Sequence, residues 1–413
     1  MRLLIHGINY APELVGIGKY TSELAEWMAA RGHRVCAYTA RPYYPQWRVP
    51  EDYSPDRDRE ELHGVDVRRH AIYVPIDPGG FSRVRHHASW LRNSWSGLLR
   101  EADAFRPDVI LAIAPSLMGA PAALRVAGRH NIPSVLHVQD FEVAAAGAAN
   151  LIRSRRVLSL ASRVERALMQ RFGHVTTISD AMRARLHSVG IAEARTQLVR
   201  NWADLDAIRP QPRGKSAVRH TLGLHPDTRV VLYAGSISKK QGLDTVLEAA
   251  RALQHRHDLK FLIFGEGPTK AQYQCEAQNM PNIIFGPFQP VETFGDLLAA
   301  ADIHLLPQIA GAADLVLPSK LTGMLASGRP VIATTPVGSG LATEVAGVGR
   351  VVPPEDPQAL AAAIVDLAER PDERQHLGEN ARRRAEQVWG RGAILQHFEE
   401  CLDGWIAQHR RAA

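Results

Sequence analysis

Short apolar runs rich in β-branched residues, each closed by a glycine- or proline-bearing loop and followed by a helix-patterned stretch, recur along the chain in two series. The first series occupies residues 2–8, 34–39, 65–72, 107–113, 133–138, 174–178 and 197–200. The second occupies 230–234, 260–264, 282–285, 302–306 and 330–333. Runs that are apolar throughout, instead of alternating, suit strands buried on both faces, which is the condition of a parallel sheet. Strands that alternate with helices close that sheet on both sides. The pattern therefore predicts α/β architecture with two doubly wound domains. The polar run Pro210-Gln211-Pro212-Arg213-Gly214-Lys215 separates the series. At 413 residues the chain is also too long for one compact core.

Charge is distributed unevenly. Residues 1–205 hold 27 Lys and Arg against 20 Asp and Glu, whereas the remainder holds 22 against 23. The surplus is concentrated in two helix-patterned segments. Residues 81–100 carry Phe81, Trp90 and Trp95 among Arg83, Arg85, Arg92 and Arg100, and residues 151–172 carry six arginines. A basic amphipathic helix of this kind suits an anionic bilayer surface, and equally a sheet-packed helix with arginines outside. No recognised nucleic-acid motif is present. Cys36, Cys275 and Cys401 have neither metal-binding spacing nor a disulfide pattern, as expected for a reducing cytoplasm. No apolar run reaches membrane-spanning length.

The stretch 314–334 reads as loop, helix and strand, with Ser319 as expected N-cap, Lys320 beside it and Gly328 as the stop. A helix start carrying Ser and Lys suits an anion. Gly16-Ile17-Gly18 follows the first strand but is too short for a dinucleotide fingerprint. No acid ends the second strand, where Tyr38-Thr39-Ala40-Arg41 stands. Gly265-Glu266-Gly267 and Gly286-Pro287-Phe288 leave the C-terminal ends of later strands, where ligands bind open α/β sheets. Of two D-x-D triplets, Asp56–Asp58 reads as solvated loop and Asp204–Asp206 as linker.

Five blocks in order carry a resemblance. They are 7–20 (GINYAPELVGIGKY), 42–47 (PYYPQW), 136–142 (LHVQDFE), 233–242 (YAGSISKKQG) and 317–324 (LPSKLTGM). Together the chain resembles glycosyltransferase family 4 of the GT-B fold, and within it the enzymes of colanic acid biosynthesis. It departs from the family pattern at four places. Ser236 and Gln241 replace an Arg and a Lys of the loop after the first strand of the second domain. Gly323 aligns with the second Glu of the family signature, and Asp314 lies at or beside the first. Gln139-Asp140 replaces a His-Asp pair, with His137 two residues earlier.

The resemblance implies two Rossmann-like domains facing across a cleft: an acceptor-side domain at 1–205, a nucleotide-sugar domain at 206–385 and a C-terminal helix at 386–413 packing back on the first. It implies a retaining transferase that moves a sugar from a nucleotide sugar, GDP-fucose first, to a lipid-linked oligosaccharide. A UDP- or dTDP-sugar is the alternative donor, and a nucleotide-sugar 2-epimerase the alternative enzyme. No metal or other cofactor is expected, and no nucleic acid. The expected location is the cytoplasm, at the anionic inner face of the membrane. Lys239, Lys240, Lys320 and Ser319 are expected at the donor diphosphate, with Gly16, Gly18, Gly235, Ser236 and Asp314. Gly265, Glu266, Pro287 and Phe288 are expected at the nucleotide. Asp140, His137 and Glu13 are the expected catalytic residues.

Overall fold

In the computed structural model, the structure describes residues 1–13, 16–76, 79–143, 154–309 and 318–412, the side chain of Lys240 excepted. The chain divides into two compact units, Met1–Arg200 with Ala393–Ala413, and Asn201–Gly392.

The first unit is built on an eight-stranded sheet. Its strands are β1 (Arg2–His6), β2 (Arg34–Ala40), β3 (Arg59–Leu62), β4 (Val65–His70), β5 (Val109–Ala114), β6 (Ser134–Val138), β7 (His174–Thr177) and β8 (Thr196–Leu198). Their order is β3-β4-β2-β1-β5-β6-β7-β8. Only β3 is antiparallel to its neighbour, and its REEL sequence leaves every second residue exposed, as an edge strand requires. The central strand β5, VILAIA, is buried along its whole length. The order reverses direction between β1 and β5.

The last helix, Arg391–Ala412, belongs to this unit. Leu395, Phe398, Leu402 and Ile406 recur at helical spacing and are buried. Glu399 accepts a bond from Arg31 Nε at 2.6 Å and lies 2.5 Å from His33 Nε2. Arg410 reaches Asp108 at 3.0 Å.

Gly80–Phe105 is a single helix that packs on the sheet through Trp90, Leu98 and Ala102. Trp90 stacks on His6 with ring centroids 4.8 Å apart. Of the two readings the sequence left open for this segment, Trp90, 1% exposed, takes the sheet-packed one. Among its large apolar side chains, Phe81 and Val84, at its start, and Trp95 are the exposed ones.

The second unit has six parallel strands: β9 (Arg229–Ala234), β10 (Leu259–Phe264), β11 (Ile283–Gly286), β12 (Ile303–Pro307), β13 (Val331–Thr334) and β14 (Gly349–Val352). Their order is β11-β10-β9-β12-β13-β14, the 3-2-1-4-5-6 arrangement of a Rossmann domain. Residues 201–205 join this unit because Ala203 N donates to Trp389 O at 2.8 Å and Arg382 reaches Leu205 O. Sheet and helix cores meet around Tyr233, Leu247, Phe261 and Ile364.

Candidate active site

In the second unit the strand order reverses between β9 and β12, and ligands of open α/β sheets bind at such a reversal, beyond the C-terminal strand ends. The loop leaving β9 begins with Gly235 at φ +149°. A Cβ at Gly235 would lie 2.4 Å from Lys320 Cε, so the missing side chain is what lets Lys320 lie against this backbone. Lys320 Nζ donates to Tyr233 Oη and to Gln241 Oε1, both at 2.7 Å, and sits 4.3 Å from the Tyr233 ring centroid. Burial pushes the Tyr233 phenol up, so it stays protonated and donates in turn to Ser236 O. Gln241 stands where the family pattern has a lysine. Its amide oxygen aims the ammonium of Lys320, where a second cation would repel it.

The neighbouring loops fit closely. Gly265 lacks a Cβ because one would lie 1.8 Å from Gly235 O. Gly235 N donates to Phe264 O at 2.9 Å and Ile237 N to Glu266 O at 2.8 Å, so the two strand exits run on side by side. The Glu266 carboxylate pairs with Lys270 at 2.7 Å. Phe288, after Pro287 at the exit of β11, is 42% exposed. Lys239 is exposed on the first of these loops. Asp314 and the side chain of Lys240 lie outside the described residues.

One expectation for the stretch around Lys320 is corrected. Ser319 does not cap the helix Lys320–Ala326 through its side chain, because its own φ of −59° and ψ of −21° already place it in a helical turn. The cationic group at this site is therefore the Lys320 ammonium rather than a capped helix end. Gly323 faces the interior: a Cβ there would meet Leu298 Cδ1 at 3.3 Å and Ile208 Cδ1 at 3.5 Å. An acid at this position would point into apolar packing.

In the first unit a cluster of acids gathers where β5 and β6 end. Asp140 follows β6, and Glu142 folds back to accept bonds from Ser116 N at 3.2 Å and Leu117 N at 2.9 Å. Ser116 has φ +72° and its hydroxyl lies 2.8 Å from His87 Nδ1. His87 Nε2 is 3.9 Å from Glu142 Oε1. Glu165, from the helix Arg155–Met169, accepts from Val143 N at 3.3 Å. Burial, reinforced by the charges of Asp140 and Glu165, pushes Glu142 up to about 7. Burial raises Glu165 as well. Burial, with His86 and Arg83 adding repulsion, lowers His87 to about 3, so its ring is neutral at neutral pH. A carboxyl poised near neutrality beside a second acid is the chemistry of proton exchange with a hydroxyl.

Glu13 has a different place. It is buried, and its oxygens accept from Tyr43 N at 2.9 Å, Tyr44 N at 3.0 Å and Asn9 Nδ2 at 2.8 Å. It ties the loop after β1 to the 42–47 block. A Cβ on Gly18 would come within 2.9 Å of Glu13 Cβ, which accounts for that glycine. Gly16, at φ +62°, turns the chain into the helix Ile17–Ala30. His137 is removed from the catalytic set. It is buried within the sheet, its Nδ1 lies 2.8 Å from Thr176 Oγ1, and its ring faces Phe398 of the last helix. Burial lowers it to about 4, so it is a neutral core histidine.

Sequence reasoning missed Glu142, Glu165, His87 and Ser116 as members of this cluster. Glu142 had a signal, being two residues beyond Asp140 in the same strand exit. Glu165 had none, because the arginines dominate its segment. Among the described residues no group of three His, Cys, Asp or Glu side chains is arranged to hold a metal ion.

Two α/β units of parallel sheet, each with polar residues gathered beyond the C-terminal ends of its strands, define the class, and comparison with known proteins names it. The profile described as "Glycosyl transferase 4-like domain" matches residues 15–202, and "Glycosyl transferases group 1" matches residues 215–384. A relative named for colanic acid biosynthesis, the glycosyl transferase WcaI of Escherichia coli (strain K12), is 38% identical over 374 residues, covering 88% of this chain and 91% of the relative. Sucrose-phosphate synthase from Thermosynechococcus elongatus has a similar structure, with a TM-score of 0.79 at 20% identity, covering 98% of this chain and 99% of that one. HepE of Anabaena, solved in complex with UDP-glucose, gives a TM-score of 0.71 at 17% identity, covering 98% and 100%. The chain belongs to glycosyltransferase family 4 and is a glycosyltransferase of the GT-B fold.

Proposed function

We propose that this enzyme transfers a sugar from a nucleoside-diphosphate sugar to a lipid-linked saccharide of a colanic-acid-like surface polysaccharide, working at an anionic membrane face. The observation that carries the donor assignment is the ammonium of Lys320, held against Gly235 at the strand-order reversal of the second unit. The bond that breaks joins the sugar's anomeric carbon to the diphosphate. Charge develops on the departing phosphate, and a fixed cation there lowers the barrier more than the same cation in water would. Retention follows if the acceptor oxygen attacks the face the phosphate leaves and passes its proton to that phosphate. Asp140 and Glu142 are the groups we assign to orienting the acceptor hydroxyl. GDP-fucose is the first donor to test, on the likeness to the colanic acid enzyme.

The acceptor assignment is supported by the helix Arg155–Met169, where Met169 is the only fully buried residue. Val157, Leu160 and Val164 lie along one face and are each more than half exposed, at 55%, 63% and 51%. Exposed Arg156 and Arg163 border them on one side, and exposed Arg155 and Arg166 stand on the opposite face of the helix. An apolar stripe edged by arginines suits the interface of an anionic bilayer. The same helix carries Glu165 to the acidic cluster, which would bring a membrane-held acceptor to the site. No helix among the described residues is long and apolar enough to cross a membrane.

The test is transfer from a panel of GDP-, UDP- and dTDP-sugars to a polyprenyl-diphosphate-linked saccharide, with the anomeric configuration read by NMR. A retained linkage from one of these donors is expected. Epimerisation of a donor without any acceptor would overturn the proposal.

A further inference from the structure

We propose that the second unit carries a separate site for a phosphorylated small molecule, in an arginine-lined cavity at the end of its sheet opposite Lys320. The cavity has a volume of about 670 Å³ and is formed by Arg229 at the start of β9, Asp302 before β12, Gly328–Pro330 before β13 and the helix Pro371–Val388. That volume is in the range of sites that hold nucleotide-sized ligands. Every lining residue belongs to the second unit.

Six arginines line it: Arg213, Arg229, Arg329, Arg374, Arg382 and Arg383. The acids among the lining are Asp302, Glu379 and Glu386. Asp302 is already held by Arg213 at 3.0 Å and Arg219 at 3.2 Å, and Glu386 by Arg382 at 2.6 Å. Glu379 accepts from Gln375 at 2.9 Å. Arg229, Arg329, Arg374 and Arg383 have no carboxylate within 4.0 Å among the described residues.

Two of these four are costly where they stand. Arg374 is 9% exposed, and only its Nη1 is used, on the carbonyls of Leu367 and Ala368 that end the preceding helix. Arg329 spends Nη2 on Gln211 O and Ala299 O, and its Nε is buried with no acceptor. Helix-end carbonyls are partial charges and do not neutralise a guanidinium. Burial lowers both arginines, the Asp302 charge partly offsets this, and the arginines around them add repulsion. A dianionic phosphate relieves that repulsion, since guanidinium donors match phosphate oxygens in geometry as well as charge.

This site is independent of the donor assignment, and the experiment separates the two. Sodium pyrophosphate is titrated calorimetrically into the full chain, into Lys320→Ala, and into Lys320→Ala bearing Arg229→Gln and Arg383→Gln. Arg229 and Arg383 are chosen because their other contacts are single bonds to Asp227 O and Asn380 Oδ1, so the fold tolerates the changes, and thermal melting verifies it. The expected result is one pyrophosphate bound by Lys320→Ala, at least tenfold more weakly once Arg229 and Arg383 are replaced. Arg383→Lys is expected to restore part of the affinity. If Lys320→Ala binds no pyrophosphate at millimolar concentration, or binds it equally well without the two arginines, the cavity is not an anion site. If wild type binds one equivalent that depends on Arg229 and Arg383 but not on Lys320, the cavity stands and the donor assignment falls.

Discussion

Glu142 is held in a state that costs the fold stability, and replacing it should show the cost. Its carboxyl is raised from 4.5 to about 7, first by burial and then by Asp140 and Glu165. A folded-state value above the unfolded one means the native protein holds the extra proton between those pH values. Stability therefore falls as pH rises from about 4.5 to about 7 and stays low above that. At about 1.4 kcal/mol per unit, the upper bound is ~3 kcal/mol at pH 8. The side chain is 23% exposed, and the amide of Glu142→Gln offers one oxygen to the N–H groups of Ser116 and Leu117, which a carboxylate meets with two. The net expectation is a gain of about 1–2 kcal/mol. For a unit of this size that is roughly 3–6 °C in melting temperature. The assay is calorimetric melting of wild type and Glu142→Gln at pH 5 and pH 8. The gain should appear at pH 8 and shrink towards pH 5, while transfer activity falls at both. A variant less stable than wild type by the same amount at both pH values would refute the reasoning.

Three further outcomes follow from other parts of the molecule. Gly235→Ala should displace Lys320, because its Cβ would sit 2.4 Å from Lys320 Cε, and nucleoside diphosphate affinity should drop about tenfold by calorimetry. Leu160→Glu with Val164→Glu should abolish sedimentation with phosphatidylglycerol vesicles at moderate salt while leaving donor hydrolysis intact; unchanged sedimentation would separate that helix from the membrane. Phe398→Ala should destabilise the first unit by about 3–5 kcal/mol in denaturant titration, because this ring of the last helix is 1% exposed.

Much of the fold was legible because buried parallel strands leave an unmistakable pattern of short apolar runs. β5 and β9 read as strands from sequence and are buried almost throughout. The glycines of the second unit were legible as loop markers, and the reason for each was not. Gly265 serves a backbone-to-backbone approach, which only coordinates display. Lys320 and the 233–242 block were both legible, whereas the bonds from Lys320 to Tyr233 and Gln241, 87 and 79 residues away, were not. His137 misled because alternation along a strand tells which face a residue takes and not which face is core. Here the last helix covers that face with Phe398. Trp90 left two readings open: an arginine-rich helix with tryptophan is compatible with a bilayer and with a sheet, and burial decided for the sheet. The acids Glu142 and Glu165 meet only because a helix and a strand exit converge, a fact no local pattern contains.

The donor assignment rests most directly on Lys320. Titration of GDP, UDP and dTDP into wild type and Lys320→Ala, in the same buffer and at the same salt, tests it. Loss of one charge-assisted contact to a diphosphate corresponds to about 1.5–3 kcal/mol, or roughly 10- to 100-fold. Wild type should prefer one of the three nucleotides, and Lys320→Ala should bind that nucleotide at least tenfold more weakly while melting as a folded protein. Equal affinity in the two proteins would contradict the account.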